Sequence, residues 1–138
     1  MKNRREFLKD TTIACGGALL LGASFSSCAK LPVVKTLVAN NTIVLDENAL
    51  AEGTHWILRA PQLDNDLLLV KQNAGGYHCL LMRCTHQDFP VRLAGNALVC
   101  NAHGSRFDFS GAVLKDPAIK PLHKFQLTKD QSTLTITL

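Results

Sequence analysis

Residues 83–109 run RCTHQDFPVRLAGNALVCNAHGSRFDF. Within them Cys84-x-His86 is followed, after thirteen intervening residues, by Cys100-x-x-His103. Thiolate and imidazole are the side chains that hold zinc, copper and iron–sulfur centres. One of each, at short spacing and repeated once, makes a four-ligand metal site. Zinc also accepts Cys₂His₂, but zinc fingers pair like with like, as C-x₂₋₄-C and H-x₃₋₅-H. Here each pair carries one ligand of each type, which leaves zinc, or a chance constellation, as the lesser alternative.

The pattern Cys84-x-His86…Cys100-x-x-His103 resembles the Rieske iron–sulfur signature, and His103-Gly104-Ser105-Arg106-Phe107-Asp108 resembles that family's second cluster loop. The resemblance implies one 2Fe-2S cluster of Rieske type, with Cys84 and Cys100 on one iron and His86 and His103 on the other. It also implies an electronic consequence. Two ferric ions and two sulfides carry a charge of about +2, and two thiolates bring the oxidised cluster to about zero. Four thiolates would leave it near −2 and harder to reduce. Potentials accordingly rise to roughly −150 to +300 mV, against about −400 mV for the plant-type all-cysteine cluster.

The N-terminus reads as an appendage. Asn3-Arg4-Arg5-Glu6-Phe7-Leu8-Lys9 looks like a twin-arginine export motif, with Asn3 where Ser or Thr is usual, and the apolar run Ile13–Phe25 follows it. At 1.5 Å per residue, thirteen residues span about 20 Å, short of the roughly 30 Å hydrocarbon core. A basic lead and a short apolar run make a signal peptide. Twin-arginine export carries proteins already folded around a cofactor, so the two motifs support each other.

Phe25-Ser26-Ser27-Cys28 resembles a lipobox, with Phe25 where Leu is usual. The expected organisation is a signal peptide over 1–27, a lipidated tether over 28–32 and a Rieske domain over 33–138. Two alternatives stand beside it. Signal cleavage nearby would leave Cys28 incidental. An uncleaved anchor over Thr11–Ala29 would resemble the Rieske subunits of cytochrome bc complexes.

Of five cysteines, Cys15 falls in the signal segment, Cys28 takes the lipid, and Cys84 and Cys100 are ligand candidates. Cys79 remains, expected as a small buried apolar residue. The family disulfide that often joins the two cluster loops would fall at Phe89 and Ala102, and neither is cysteine. The whole chain carries a formal charge of +4. Loss of residues 1–27 removes four cations (Lys2, Arg4, Arg5, Lys9) and two acids (Glu6, Asp10), leaving +2. That is too mild for a nucleic-acid surface, and no basic run or aromatic platform supports one.

The mature region reads as all-β. Short apolar segments recur at Thr42–Leu45, His55–Arg59, Leu67–Lys71, Tyr77–Met82, Ala97–Val99, Arg106–Phe109, Phe125–Thr128 and Thr133–Leu138. Asn40-Asn41, Gly53, Gly75-Gly76, Gly95-Asn96 and Gly111 break the chain between them. Thr133–Leu138 alternates polar and apolar strictly, as a half-buried strand does. Small antiparallel sheets, packed as a sandwich or partly open barrel, account for this pattern. The Rieske resemblance adds a cluster-binding loop subdomain, reached from Tyr77–Met82 and Ala97–Cys100.

Asp116-Pro117-Ala118, continuing to Pro121-Leu122, resembles the family's proline loop, which covers the cluster from a third side; a plain proline-rich turn is the alternative. Gln87-Asp88 shapes the first loop or is a solvated turn. His55, His78 and His123 lack ligand spacing and are read as surface or strand-face residues, and Trp56 as core. The resemblance gives Ser105 a hydroxyl bond to a bridging sulfide. It places Phe107 where a tyrosine often donates to a cysteine sulfur. One donor kept and one lost imply an intermediate potential.

The expected function is an exported electron carrier or electron-transfer subunit on the periplasmic side of a bacterial membrane. It would pass single electrons between a quinol- or substrate-oxidising complex and a c-type cytochrome or similar partner, with no substrate chemistry of its own. A bc-type subunit and the ferredoxin component of a Rieske oxygenase system are the alternatives. An oxygenase itself needs a second domain with a two-His, one-carboxylate iron site, and the 106 residues from Val33 to Leu138 are taken up by the Rieske module.

Overall fold

Leu67-Leu68-Leu69-Val70 is apolar at four consecutive positions, and a strand of that kind has to be covered on both faces. It becomes the centre of the molecule. The computed structural model describes residues 30–138. The readings that fall on the twin-arginine motif, the apolar run and Cys28 (signal peptide, lipidation and uncleaved anchor) lie outside the described residues. Among the described residues no helix is long and apolar enough to cross a membrane.

The strands are β1 (Val33–Lys35), β2 (Thr42–Asp46), β3 (His55–Arg59), β4 (Leu67–Lys71), β5 (Tyr77–Leu81), β6 (Val91–Ala94), β7 (Ala97–Cys100), β8 (Arg106–Phe107), β9 (Val113–Lys115), β10 (Lys124–Asp130) and β11 (Thr133–Thr137), with a 3₁₀ turn at Glu47–Ala49. They form a seven-stranded sheet in the order β1-β3-β4-β5-β10-β11-β2 and a four-stranded sheet in the order β6-β7-β8-β9. In β10, Lys124 and Phe125 pair with β5, while Gln126–Asp130 pair with β11. The strand thus changes neighbours along its length, and the large sheet curls there.

The alternation of β4 divides the interior into two cores. Leu68 and Val70 join Leu80, Met82, Cys84, Val91, Leu98, Cys100, Phe107, Ala118 and Leu122 in the core beneath the cysteine–histidine loops. Leu67 and Leu69 face the other way, into the core inside the curl with Ile43, Leu45, Trp56, Leu58, Cys79, Leu134 and Ile136. Cys79 is fully buried, and burial pushes its thiol up to about 12, so it stays a neutral apolar side chain. Trp56 is core, its indole N–H donating to the Ala51 carbonyl at 2.9 Å. In β11, Leu134 and Ile136 are buried while Thr133, Thr135 and Thr137 alternate with them.

The expected strands all form, with two kinds of difference. β8 stops at Phe107 rather than Phe109, because the Asp108 carboxylate accepts the Ser110 N–H, the Ser110 hydroxyl and the Ala112 N–H and folds a turn there. β1, β6 and β9 are three or four residues long, too short to carry a period, and exist through their partners. Several turns need a left-handed backbone. Asn40 and Asn41 have φ of 50° and 59°, and Gly95 has φ of 61° in the two-residue connection between β6 and β7.

One charged hub ties the 3₁₀ turn to the large sheet. Glu47 accepts from the Tyr77 hydroxyl at 2.6 Å and from Lys71 at 3.0 Å, and also pairs with Lys129. Lys129, then Tyr77 and Lys71, draw its carboxyl from 4.5 down to about 2. A carboxyl depressed on folding contributes stability above its ordinary value and loses it as pH falls toward its folded value. Glu47→Gln should therefore lower the urea midpoint near neutral pH. The gap to wild type should narrow from about pH 5 downward and close near pH 2. Parallel urea titrations of both proteins check this; a gap independent of pH would remove the charge from the account.

Candidate metal centre

The two loops that carry the expected ligands are closed by the same pair of backbone hydrogen bonds. In the first, the Cys84 N–H donates to the Phe89 carbonyl (2.7 Å) and the Asp88 N–H to the Cys84 carbonyl (2.9 Å). In the second, the Cys100 N–H donates to the Ser105 carbonyl (2.9 Å) and the Gly104 N–H to the Cys100 carbonyl (2.9 Å). The fourth residue after each cysteine is left-handed: Asp88 with φ of 61° and Gly104 with φ of 81°. Glycine takes that region freely, and aspartate is among the few others that tolerate it. Arg83 pairs with the Asp88 carboxylate at 3.0 Å across the first loop. Gln87-Asp88 therefore shapes the loop, through the backbone and charge of Asp88.

Each loop roots its cysteine in the core and raises its histidine toward the surface. Cys84 and Cys100 are 1% and 0% exposed, and neither is in a disulfide. The His86 and His103 rings meet edge to face with centroids 4.9 Å apart. His103 is exposed and His86 half-buried. Where the family disulfide would join the loops, Phe89 sets its ring 5.8 Å from that of His103 in another edge contact.

The proline-rich segment closes a third side. The Ala118 N–H donates to Ser105 Oγ at 3.0 Å, with both residues buried, and the Thr85 hydroxyl donates to the Lys120 carbonyl at 2.6 Å. One strap thus holds the second loop through Ser105 and the first through Thr85. The anchoring by Thr85 and Ala118 was not readable from sequence: Thr85 occupies an intervening position of Cys84-x-His86, and Ala118 acts through its backbone.

His86 Nδ1 is buried and has no hydrogen-bond partner. An unpaired buried nitrogen lone pair costs free energy unless something accepts it, and a metal ion does so. The candidate donors are two thiols and two imidazoles, one of each per loop, and a binuclear cluster takes two protein ligands per iron. The donor set fits such a cluster.

The other histidines stand apart from this group. His123 is exposed and packs edge-on against Phe125. His55 sits on β3 with its ring 4.2 Å from that of Phe109, and burial, followed by the charge of His78, lowers its pKa. His78 lies on a strand face as expected but is buried there, 8% exposed, with Nε2 2.7 Å from the Phe109 carbonyl. Its Nδ1 is likewise without a partner, but it belongs to β5 and to neither cysteine–histidine loop.

An all-β domain that raises two matched cysteine–histidine loops from its strand ends and straps them with a third defines a class of iron–sulfur protein. Residues 40–126 match the Rieske [2Fe-2S] domain, and the chain belongs to that family. Its cofactor is one Rieske-type 2Fe-2S cluster, and it is an electron-transfer protein. Among solved structures it is similar to the plasma membrane Rieske protein PetC3 of the cyanobacterium Synechocystis PCC 6803. Identity is 24% and the TM-score 0.51, over 62% of this chain and 87% of that one. It is also similar to naphthalene 1,2-dioxygenase, at 17% identity and a TM-score of 0.55, over 70% of this chain but only 26% of the dioxygenase chain. The quaternary ammonium Rieske monooxygenase CntA gives 10% identity and a TM-score of 0.52 over 67% of this chain and 31% of that one. At these identities the likenesses show the fold. No curated protein matches the sequence.

Proposed function

We propose that this chain is an exported one-electron carrier or electron-transfer subunit. Cys84 and Cys100 hold one iron of its cluster, and His86 and His103 the other. The carrying observation is the matched pair of loops, each with one buried cysteine and one histidine, with the His86 Nδ1 lone pair buried and unspent. When bound, the cluster supplies a reversible one-electron couple. The protein's part is to fix the ligands, keep the cysteine sulfurs away from water and leave the His103 edge open to a partner. Ser105 contributes through its proton. Because its oxygen already accepts the Ala118 N–H, the hydroxyl hydrogen is free to point at the cluster. Phe107, fully buried in the same core as both cysteines, contributes packing and no donor.

Purified protein should contain about two irons and two acid-labile sulfides per chain; stoichiometric zinc and no visible absorption would overturn the assignment. Protein-film voltammetry tests the tuning. Ser105→Ala should lower the potential and Phe107→Tyr raise it, since donors to cluster sulfur favour the more negative reduced state. A hydrogen bond to a charged acceptor is worth roughly 1.5–3 kcal/mol, and about 59 mV corresponds to a factor of ten for one electron. Only the difference between oxidation states counts, so each shift should be some tens of millivolts. A rise on Ser105→Ala would mean that the hydroxyl does not face the cluster.

The N-terminal motifs support export folded through the twin-arginine route, lipidation at Cys28 and a site of action on the periplasmic side of the membrane. The electron partner in this reading is a c-type cytochrome or an oxidoreductase complex. Arg4→Lys with Arg5→Lys should retain the precursor inside the cell. Cys28→Ala should abolish lipid labelling and release the protein from membranes. A Cys28→Ala protein that stays membrane-bound at precursor length would favour the uncleaved anchor and the bc-type reading.

A further inference from the structure

Charge is distributed unevenly over the described residues. Residues 83–122, which carry the loops, the small sheet and the strap, hold five cations (Arg83, Arg92, Arg106, Lys115 and Lys120) and three acids (Asp88, Asp108 and Asp116). The rest of 30–138 holds six of each. The whole excess of two positive charges lies in the cluster-bearing part.

Register concentrates that excess on one surface. Arg92 on β6 pairs with Val99 on β7, Val99 with Arg106 on β8, and Arg106 with Lys115 on β9. Directly paired residues present their side chains on the same face. Three neighbour spacings of about 4.8 Å therefore make a row about 14 Å long, of Arg, Val, Arg and Lys. Arg92, Arg106 and Lys115 are all exposed, and none has a salt-bridge partner among the described residues. Beside Lys115, at the irregularity between β8 and β9, Leu114 is 58% exposed. Val99 precedes Cys100 and Arg106 follows Ser105, so the row lies one residue from the candidate cluster site on two strands.

The geometry points to this row as a docking surface for an acidic electron-transfer protein. Half-buried Val99 and exposed Leu114 give it apolar contact area, and the exposed cations supply steering. Arginine among apolar contacts is the usual make-up of a protein interface. A partner seated here engages the small sheet whose strands β7 and β8 lead into and out of the second loop. The proposal rests on the electron-transfer reading and adds to it the face and the charge of the partner.

Charge steering raises association rates by about 10- to 1,000-fold and fades with ionic strength. Stopped-flow oxidation of the reduced, cluster-loaded full chain by an acidic c-type cytochrome should therefore slow steeply as salt rises. Combining Arg92→Gln, Arg106→Gln and Lys115→Gln should cut the low-salt rate at least about tenfold and flatten the salt dependence. Lys35→Gln, a charge removed from edge strand β1, should change it less than about twofold. Iron content and voltammetric potential, recorded on every variant, separate a docking defect from a damaged cluster. Arg92→Gln with Lys115→Gln, which leaves the neighbour of Ser105 intact, should show an intermediate effect.

An unchanged salt slope in the triple variant overturns the proposal while leaving the cluster assignment standing. Sedimentation with phosphatidylglycerol vesicles that is lost in the triple variant, with cytochrome rates unaffected, would overturn it in favour of a membrane surface. Absence of iron from the wild-type protein would instead overturn the electron-transfer reading itself.

Discussion

Replacing His86 by Ala is expected to abolish the cluster. Iron and labile sulfide should fall from about two each per chain to nearly none, with loss of the visible spectrum and the reduced-state EPR signal. The expectation rests on His86 Nδ1 being buried without a protein partner and on its ring lying 4.9 Å from that of His103, the other candidate ligand on that iron. His103→Ala should do the same. His55→Ala and His123→Ala should keep full iron, since neither belongs to a cysteine–histidine loop and their rings pack against Phe109 and Phe125. His78→Ala is the more searching control. It removes a buried side chain and its 2.7 Å contact with the Phe109 carbonyl, so it should lower stability while the folded protein keeps its iron. Loss of the EPR signal in His123→Ala with retention in His86→Ala would mean that the ligand set is wrong.

Phe107→Ala should be among the most destabilising single changes. The ring is 0% exposed and shares its core with Cys84, Cys100, Ala118 and Leu122. Truncating a buried Phe costs about 3–5 kcal/mol, and each kcal/mol moves the melting temperature by about 4–8 °C in domains near 100 residues. A fall of more than about 12 °C follows. Because that core is also the floor of the candidate site, the variant should lose iron at temperatures where it is still folded. Leu134→Ala offers the contrast. Leu134 is equally buried, but in the core inside the curl, and its loss should cost about 2–5 kcal/mol while leaving the cluster in the folded fraction. Differential scanning calorimetry with iron release followed in parallel separates the two. Equal iron loss at matched stability would show that the division of the interior along β4 does not insulate the site.

The candidate ligands were legible in the chain because metal chemistry restricts residue type and spacing together: few side chains bind iron, and short loops bring them close. The long strands were legible for a similar reason. Thr133–Leu138 declares a buried face by alternation, and Leu67–Val70 declares two by having none. What depended on partners far along the chain was not. Ala118 stabilises Ser105 through a backbone N–H, thirteen residues away, and no side chain marks that role. The strands β1, β6 and β9 are too short to show a period and exist only by pairing. Burial of His78 follows from the Phe109 turn folding over β5, which nothing near His78 in sequence announces. The row of Arg92, Arg106 and Lys115 likewise spans strands separated by loops, and register alone aligns it. Local chemistry and periodicity are written in neighbouring residues, whereas strand register and the contacts across it are set by how the whole chain closes on itself.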